Sequence, residues 1–131
     1  MNLPMNTALA RYGAVKVTTA SPGHLLVMLY EGLIRFLREA QTAMTTNDRA
    51  RAGERLSRSH AIINHLLTSL DAQHAPELCQ NLQSLYVFCG GHLLKANLEQ
   101  DPDKIGDVVR LLTPLRDAWV TAVAQVSGQA R

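Results

Sequence analysis

The chain is poor in aromatic side chains and in cysteine, and it has no long apolar run. Aromatic residues make up 5% of its 131 residues, which argues against a β-sandwich because such folds are rich in aromatic and β-branched side chains. The longest unbroken apolar run, from Leu25 to Tyr30, is too short to cross a bilayer. The formal net charge is only +2, so no general affinity for nucleic acid follows.

The two cysteines, Cys79 and Cys89, fall on one predicted helix. At about 1.5 Å of rise per residue they lie about 15 Å apart, which is too far for a mutual disulfide. Residues 1–10 lack the basic start and the sustained apolar stretch of a signal peptide. Free thiols without a leader or a membrane segment favour a cytoplasmic protein, and we expect no membrane insertion.

Hydrophobic residues make up 47% of the chain, and in four segments they recur at spacings of three and four, which is typical of amphipathic helices. The first helix is predicted from Pro22 to Met44, because Ser21 and Pro22 form a helix-start signal. The second begins at Asn47 or Asp48, the third near Ala75-Pro76, and the fourth at Asp101-Pro102. The expected core positions are Leu26, Leu29, Leu33, Phe36, Ala40 and Ala43; Ala52, Leu56, Ser59, Ile63, Leu66 and Leu70; Leu78, Leu82, Leu85, Cys89, Leu93 and Ala96; and Ile105, Val108, Leu112, Leu115, Trp119, Ala122 and Val126.

Short connections of about three to five residues make neighbouring helices antiparallel. We therefore predict an all-α fold, an antiparallel up-down-up-down four-helix bundle with a flexible N-terminal arm. Residues 1–131 would form a single domain, with the arm at 1–17, the bundle at 18–126 and a C-terminal tail at 127–131. Gly90-Gly91 and Pro114 interrupt the third and fourth helices, and the proline predicts a kink near Thr113. Packing could absorb these interruptions, or they could open a groove for a partner.

The sequence offers no metal or catalytic site of a familiar kind. No glutamate is followed by histidine three residues later, as a di-iron bundle requires. His60 and His65 are five residues apart and do not share a helix face. The serines show no nucleophile elbow, and no phosphate-binding loop follows a strand. We therefore predict no catalytic residue, no metal and no cofactor, and we predict that the protein is not an enzyme.

One alternative function rests on His92. The segment Gly91-His92-Leu93-Leu94-Lys95-Ala96 resembles the His-x-Leu-Lys-Gly motif of histidine phosphotransfer domains, which are also four-helix bundles. The resemblance implies an exposed imidazole that takes a phosphoryl group, with a lysine nearby, although Ala96 stands where the motif has glycine. A histidine phosphotransfer-like bundle, or a bundle with a structural role only, therefore remains an alternative.

Surplus apolar side chains mark the first helix, which carries more of them than one bundle seam needs. Most would widen the core, and the remainder could form grooves for amphipathic helices of a partner. The apolar residues of the N-terminal arm could cover such a groove. Arg51, Arg55 and Arg58 form a basic stripe on the second helix, just after Arg49, and such stripes are typical of solvated faces.

Several blocks, in order and spacing over nearly the whole chain, resemble the family of the flagellar export chaperone FliS. They are Tyr12; Thr19-Ala20-Ser21-Pro22; Met28-Leu29-Tyr30-Glu31-Gly32 with Arg35-Phe36-Leu37; Ile62-Ile63 and Leu66 with Ser69-Leu70-Asp71; Asn81-Leu82; Leu85-Tyr86; Leu94 with Ala96-Asn97; Asp101; Leu111-Leu112; and Leu115-Arg116-Asp117-Ala118-Trp119. The chain departs from the family where Gly23-His24 replaces a pair usually rich in Glu or Gln. It departs again at Gly90-Gly91 and Pro114, where larger helix formers are usual.

The resemblance implies a cytoplasmic chaperone that binds the disordered C-terminal region of flagellin. It would prevent premature polymerisation and deliver flagellin to the flagellar type III export apparatus. The implied partners are the flagellin C-terminal segment and a component of the export gate, with no nucleic acid, and a homodimer of the unliganded chain is left open. Leu9 and Tyr12 carry over as positions for substrate binding or gate docking. The predicted groove residues are Ile62, Leu66, Asn81, Leu85 and Tyr86.

Overall fold

The computed structural model describes residues 21–129, with side chains to residue 126, so the predicted arm with Leu9 and Tyr12 lies outside the described residues. The described part of the chain forms four helices and no strand. They are α1 (Pro22–Thr45), α2 (Arg49–Thr68), α3 (Pro76–Glu99) and α4 (Pro102–Gln129). The four predicted helices are confirmed, and α4 continues into the segment that the sequence predicted as a tail.

The helices begin where their local capping signals predict. The Ser21 hydroxyl accepts a hydrogen bond from the His24 backbone N–H at 3.1 Å and lies 3.0 Å from the His24 ring Nδ1. The histidine ring therefore engages the cap where a capping box would place a carboxylate. The Asp48 carboxylate accepts from the Arg51 backbone N–H and caps α2 in the same way.

Cross-helix contacts define an antiparallel bundle. Near the C-terminal end of α1, the Gln41 side-chain amide donates to the Pro102 carbonyl at the start of α4, at 3.0 Å. α1 and α3 each pack against both α2 and α4, so α1 lies diagonally across from α3. The predicted up-down-up-down four-helix bundle is confirmed.

The core is continuous at one end of the bundle and thins towards the other. Leu33, Leu93, Ile105 and Leu112 are fully buried, as predicted, and Leu37 is fully buried although the predicted core did not include it. Ten predicted core residues are only partly buried or exposed. Phe36 and Leu115 are two of them, and the other eight lie towards the end where α1 and α3 begin and α2 and α4 finish: Leu26, Leu29, Leu70, Leu78, Leu85, Trp119, Ala122 and Val126. Three predicted core positions are wrong, because Leu78 is 47% exposed, Val126 is 65% exposed and Ala122 is also exposed. The helices do not close tightly over these positions.

The glycines of the bundle differ in what surrounds them. Gly90 and Gly91 lie in the unbroken α3, and a Cβ atom at either position would meet nothing within 4 Å. A Cβ on Gly23 would lie 2.7 Å from Val123 Cγ2, so α1 approaches α4 too closely there for a larger residue. α4 runs through Pro114 as one helix.

Replacing Gly90 with alanine should raise the free energy of unfolding by about 0.5–1 kcal/mol, because alanine loses less conformational entropy in a helix and finds open space. Gly23→Ala should lower it by about 1 kcal/mol or more, because the stiff Val123 side chain must move. Urea unfolding followed by circular dichroism measures both. Adding Val123→Ala to Gly23→Ala should recover part of the loss, and a stabilising Gly23→Ala would contradict the close approach.

Candidate functional site

An apolar groove of about 550 Å³ opens at the end of the bundle where the core thins. It lies between the first turns of α1, the last turns of α2 and the N-terminal half of α3, with one side chain from α4. We call this surface the groove. Its lining residues are Pro22, Leu25, Leu26, Met28, Leu29, His65, Leu66, Ser69, Leu70, Asp71, Leu82, Tyr86 and Trp119.

The composition of α1 explains why the groove is apolar. Four of the five residues from Leu25 to Leu29 line it, so side chains on more than one face of the helix are apolar. Met28 is 55% exposed, which leaves a large apolar side chain at the surface. On the opposite wall, the Ser69 hydroxyl donates to the Leu66 carbonyl at 3.0 Å, so its polar group is satisfied by its own backbone. Among the described residues, the groove therefore presents apolar surface that is left open to water.

Two aromatic side chains, Tyr86 and Trp119, line the groove, and both pack against the fully buried Tyr30. The Tyr30 and Tyr86 hydroxyls hydrogen-bond to each other across the bundle, with their ring centroids 6.4 Å apart. The Tyr30 ring also meets the edge of the Trp119 ring at 6.3 Å. Burial raises the pKa of both phenols, so both stay neutral. The Trp119 indole N–H is buried and finds no acceptor among the described residues.

The groove has the shape and chemistry of a peptide-binding surface. Its walls are mainly leucine and aromatic side chains, and its polar groups lie near its edge at His65, Ser69 and Asp71. Such a surface accepts the apolar face of an amphipathic helix, whose anchors recur at spacings of three and four residues.

Within residues 21–126, no group of three or more His, Cys, Asp or Glu side chains is placed to hold a metal ion.

The structure brings together two of the seven predicted partner-binding residues. Leu66 and Tyr86 line the groove, whereas Ile62, Asn81 and Leu85 do not. Ile62 is buried against Gly32, and Asn81 is exposed on α3. Leu9 and Tyr12 lie outside the described residues.

Sequence reasoning indicated that surplus apolar residues of α1 could form a groove, but it named none of them as binding positions. Leu25, Leu26 and Met28 line the groove but were not among the predicted binding residues. What pointed to them in the sequence was that α1 has more apolar residues than its packing against the other helices requires. Trp119 was assigned to the core, and nothing in the sequence indicated that its position lies at the open end of the bundle.

His92, the residue of the phosphotransfer alternative, holds α3 to α4. Its Nε2 lies 2.9 Å from the Asp107 carboxylate, and its ring stacks on Phe88 with centroids 5.0 Å apart. The hydrogen bond from His92 lowers the pKa of Asp107. The His92 side chain is only 17% exposed, and its Nε2 is engaged. The exposed imidazole that phosphotransfer requires is therefore not formed.

Two further features of the described residues concern the hydropathy of the helices and the state of the thiols. None of the four helices combines the length and the apolar content that crossing a membrane requires. Cys79 and Cys89 are both free thiols. Burial raises the pKa of the Cys89 thiol to about 11, so it is protonated and unreactive at neutral pH.

A comparison with known structures supports the fold. The chain is similar to a structure described as "Crystal structure of flagellar chaperone from bacteria", with a TM-score of 0.76. The match covers 93% of this chain and 99% of that one at 21% sequence identity. At this identity the likeness establishes the shared four-helix architecture.

Sequence comparisons identify the family. The family model described as "Flagellar protein FliS" matches residues 5–126. The flagellar secretion chaperone FliS of Bacillus subtilis (strain 168) is 33% identical over 112 residues, covering 86% of this chain and 83% of that protein. The flagellar secretion chaperone FliS of Escherichia coli (strain K12) is 38% identical over 104 residues, covering 79% and 76%. Because both the family model and these relatives extend over most of its length, the chain belongs to the FliS family of flagellar secretion chaperones.

Proposed function

We propose that this protein is a cytoplasmic chaperone that binds the disordered C-terminal region of flagellin. In this role it prevents premature polymerisation and delivers flagellin to the flagellar type III export apparatus. The observation that carries the proposal is the groove, an open apolar surface of about 550 Å³ on a FliS-family bundle. The relatives' description as flagellar secretion chaperones supports it.

The dimensions of the groove suit one helical segment of the client. Along α1 it extends from Pro22 to Leu29, which corresponds to about 10 Å of helix, or about two turns. A disordered segment that folds here loses conformational entropy, and burial of its apolar face must offset this cost. Because the groove is already formed, the chaperone itself has little to reorganise.

The predicted arm residues have a separate role in the proposal. We assign Leu9 and Tyr12 to client binding or to docking at the export gate. This assignment follows from the family resemblance and is independent of the groove. The proposed role involves no catalysis and no cofactor, in keeping with a family of chaperones rather than of enzymes.

Calorimetric titration of the full chain with a synthetic flagellin C-terminal peptide tests the proposal. We expect a one-to-one complex, a gain of helicity and a negative heat-capacity change, because apolar surface is buried as the peptide folds. A scrambled peptide of the same composition serves as the control. The absence of binding at tens of micromolar peptide, or equal binding of the scrambled peptide, would contradict the proposed function.

A further inference from the structure

A second concave surface lies beyond the groove, along α1, where this helix meets the start of α2. It has a volume of about 440 Å³, and we call it the arginine pocket. Three guanidinium groups line it, from Arg35 and Arg38 on α1 and from Arg51 on α2. Glu31, Ile34 and Glu39 complete most of its wall. None of these residues lines the groove, so the two surfaces are separate.

The carboxylates of the pocket already have basic partners. Arg55 Nε lies 2.7 Å from the Glu39 carboxylate, and an Arg116 guanidinium nitrogen lies 3.9 Å from that of Glu31. Neither Arg55 nor Arg116 lines the pocket. Each acidic side chain of the pocket therefore lies close to an arginine that is not part of the pocket lining.

The three pocket arginines have no such partners. Among the described side chains, none of Arg35, Arg38 and Arg51 has a carboxylate oxygen within 4.0 Å. Residues 1–20 and 127–131 contain no Asp or Glu, so they supply no acidic side chain either. With three arginines and two glutamates, the lining of the pocket has a formal net charge of +1, and its three guanidinium groups make no ion pair within 4.0 Å among the described side chains.

Local contacts hold part of this charge in place. The Arg35 guanidinium lies 5.1 Å from the centre of the Phe36 ring. Such cation–π contacts restrict the side chains that make them. Arg51 lies in the first turn of α2, where the Asp48 carboxylate accepts from its backbone N–H and caps the helix.

We propose that the arginine pocket docks an acidic peptide segment. Arg35 and Arg38 are three residues apart on one helix, so they meet carboxylates that are one turn apart on a partner helix. Each guanidinium forms paired hydrogen bonds with a carboxylate. A peptide fits better than nucleic acid because Glu31 and Glu39 would repel a continuous phosphate backbone, whereas a peptide can place neutral or basic residues opposite them.

Fluorescence anisotropy tests this with a labelled helical peptide that carries glutamate at every third or fourth position. Wild-type protein should bind it at low ionic strength, and added salt should weaken binding because the contacts are exposed. The double variant Arg38→Glu/Arg51→Glu should lose affinity about tenfold or more. The control Lys95→Glu/Arg110→Glu carries the same change in net charge on exposed residues outside the pocket and should change affinity little.

Three outcomes would overturn the proposal. They are failure of the wild type to bind the peptide, an equal loss of affinity in the control variant, and tighter binding of poly(U) RNA that the pocket variant abolishes. Circular dichroism of both double variants confirms that they fold. Because the pocket and the groove are separate, Arg38→Glu/Arg51→Glu should still bind the flagellin peptide, so failure here is distinguishable from failure of the proposed function.

Discussion

Met28→Asp should weaken binding of the flagellin C-terminal peptide at least about 30-fold, which corresponds to about 2 kcal/mol. Met28 lines the groove and is 55% exposed in the free protein. A client helix seated in the groove would bury the new carboxylate among leucine side chains without a basic partner, which is costly. The stability of the free protein should change by no more than about 0.5 kcal/mol, since the aspartate remains in water. Calorimetric titration and urea unfolding measure the two effects.

Leu94 provides a matched control for this experiment. It is 56% exposed, lies on α3 and does not line the groove. Leu94→Asp introduces the same charge at the same degree of exposure, so it should leave peptide affinity nearly unchanged. If the two variants lose affinity equally, the client does not bind in the groove.

The largest loss of stability should follow Tyr30→Ala, with a fall of about 3–5 kcal/mol in the free energy of unfolding. The Tyr30 side chain is fully buried and contacts the rings of Tyr86 and Trp119. Its removal leaves a cavity beneath the groove and also leaves the Tyr86 hydroxyl without its partner. Because domains of this size are stabilised by only about 5–15 kcal/mol, the variant would be close to unfolding at physiological temperature. Urea unfolding followed by far-ultraviolet circular dichroism measures the change.

Phenylalanine variants separate packing from hydrogen bonding. Tyr30→Phe keeps the ring and should lower the free energy of unfolding by about 1–3 kcal/mol, because the buried Tyr86 hydroxyl loses its hydrogen-bond partner. Adding Tyr86→Phe removes this unpaired hydroxyl, so the double variant should be no less stable than Tyr30→Phe alone. A further loss equal to the first would mean that the two hydroxyls act independently.

The helix boundaries were predictable because their signals are local. Ser21-Pro22 and Asp48 each determine a helix start through contacts within three residues, and the structure places both caps as predicted. His92 shows the opposite case. Its sequence neighbours resemble a phosphotransfer motif, yet its environment depends on Asp107, which only the packing of α3 against α4 brings to 2.9 Å.

The groove was predictable in kind but not in position. The apolar excess on α1 indicated a surface beyond the bundle seam, and Leu66 and Tyr86, two of the predicted binding residues, line the same groove. Which residues complete the groove depends on where the packing between the helices becomes loose. On α3 the buried aromatic is Tyr86, whereas Leu85 is half-buried, and this choice depends on the rotation of the helix. Periodicity alone does not determine that rotation.

Trp119 gives the groove an optical property of its own. It is the only tryptophan in the chain, it lines the groove, and its ring edge rests on Tyr30. Emission excited at the red edge of indole absorption therefore comes from the groove alone. A client without tryptophan would shift this emission as it displaces solvent from the ring. The wild-type protein thus carries an intrinsic fluorescent reporter of occupancy and needs no attached dye.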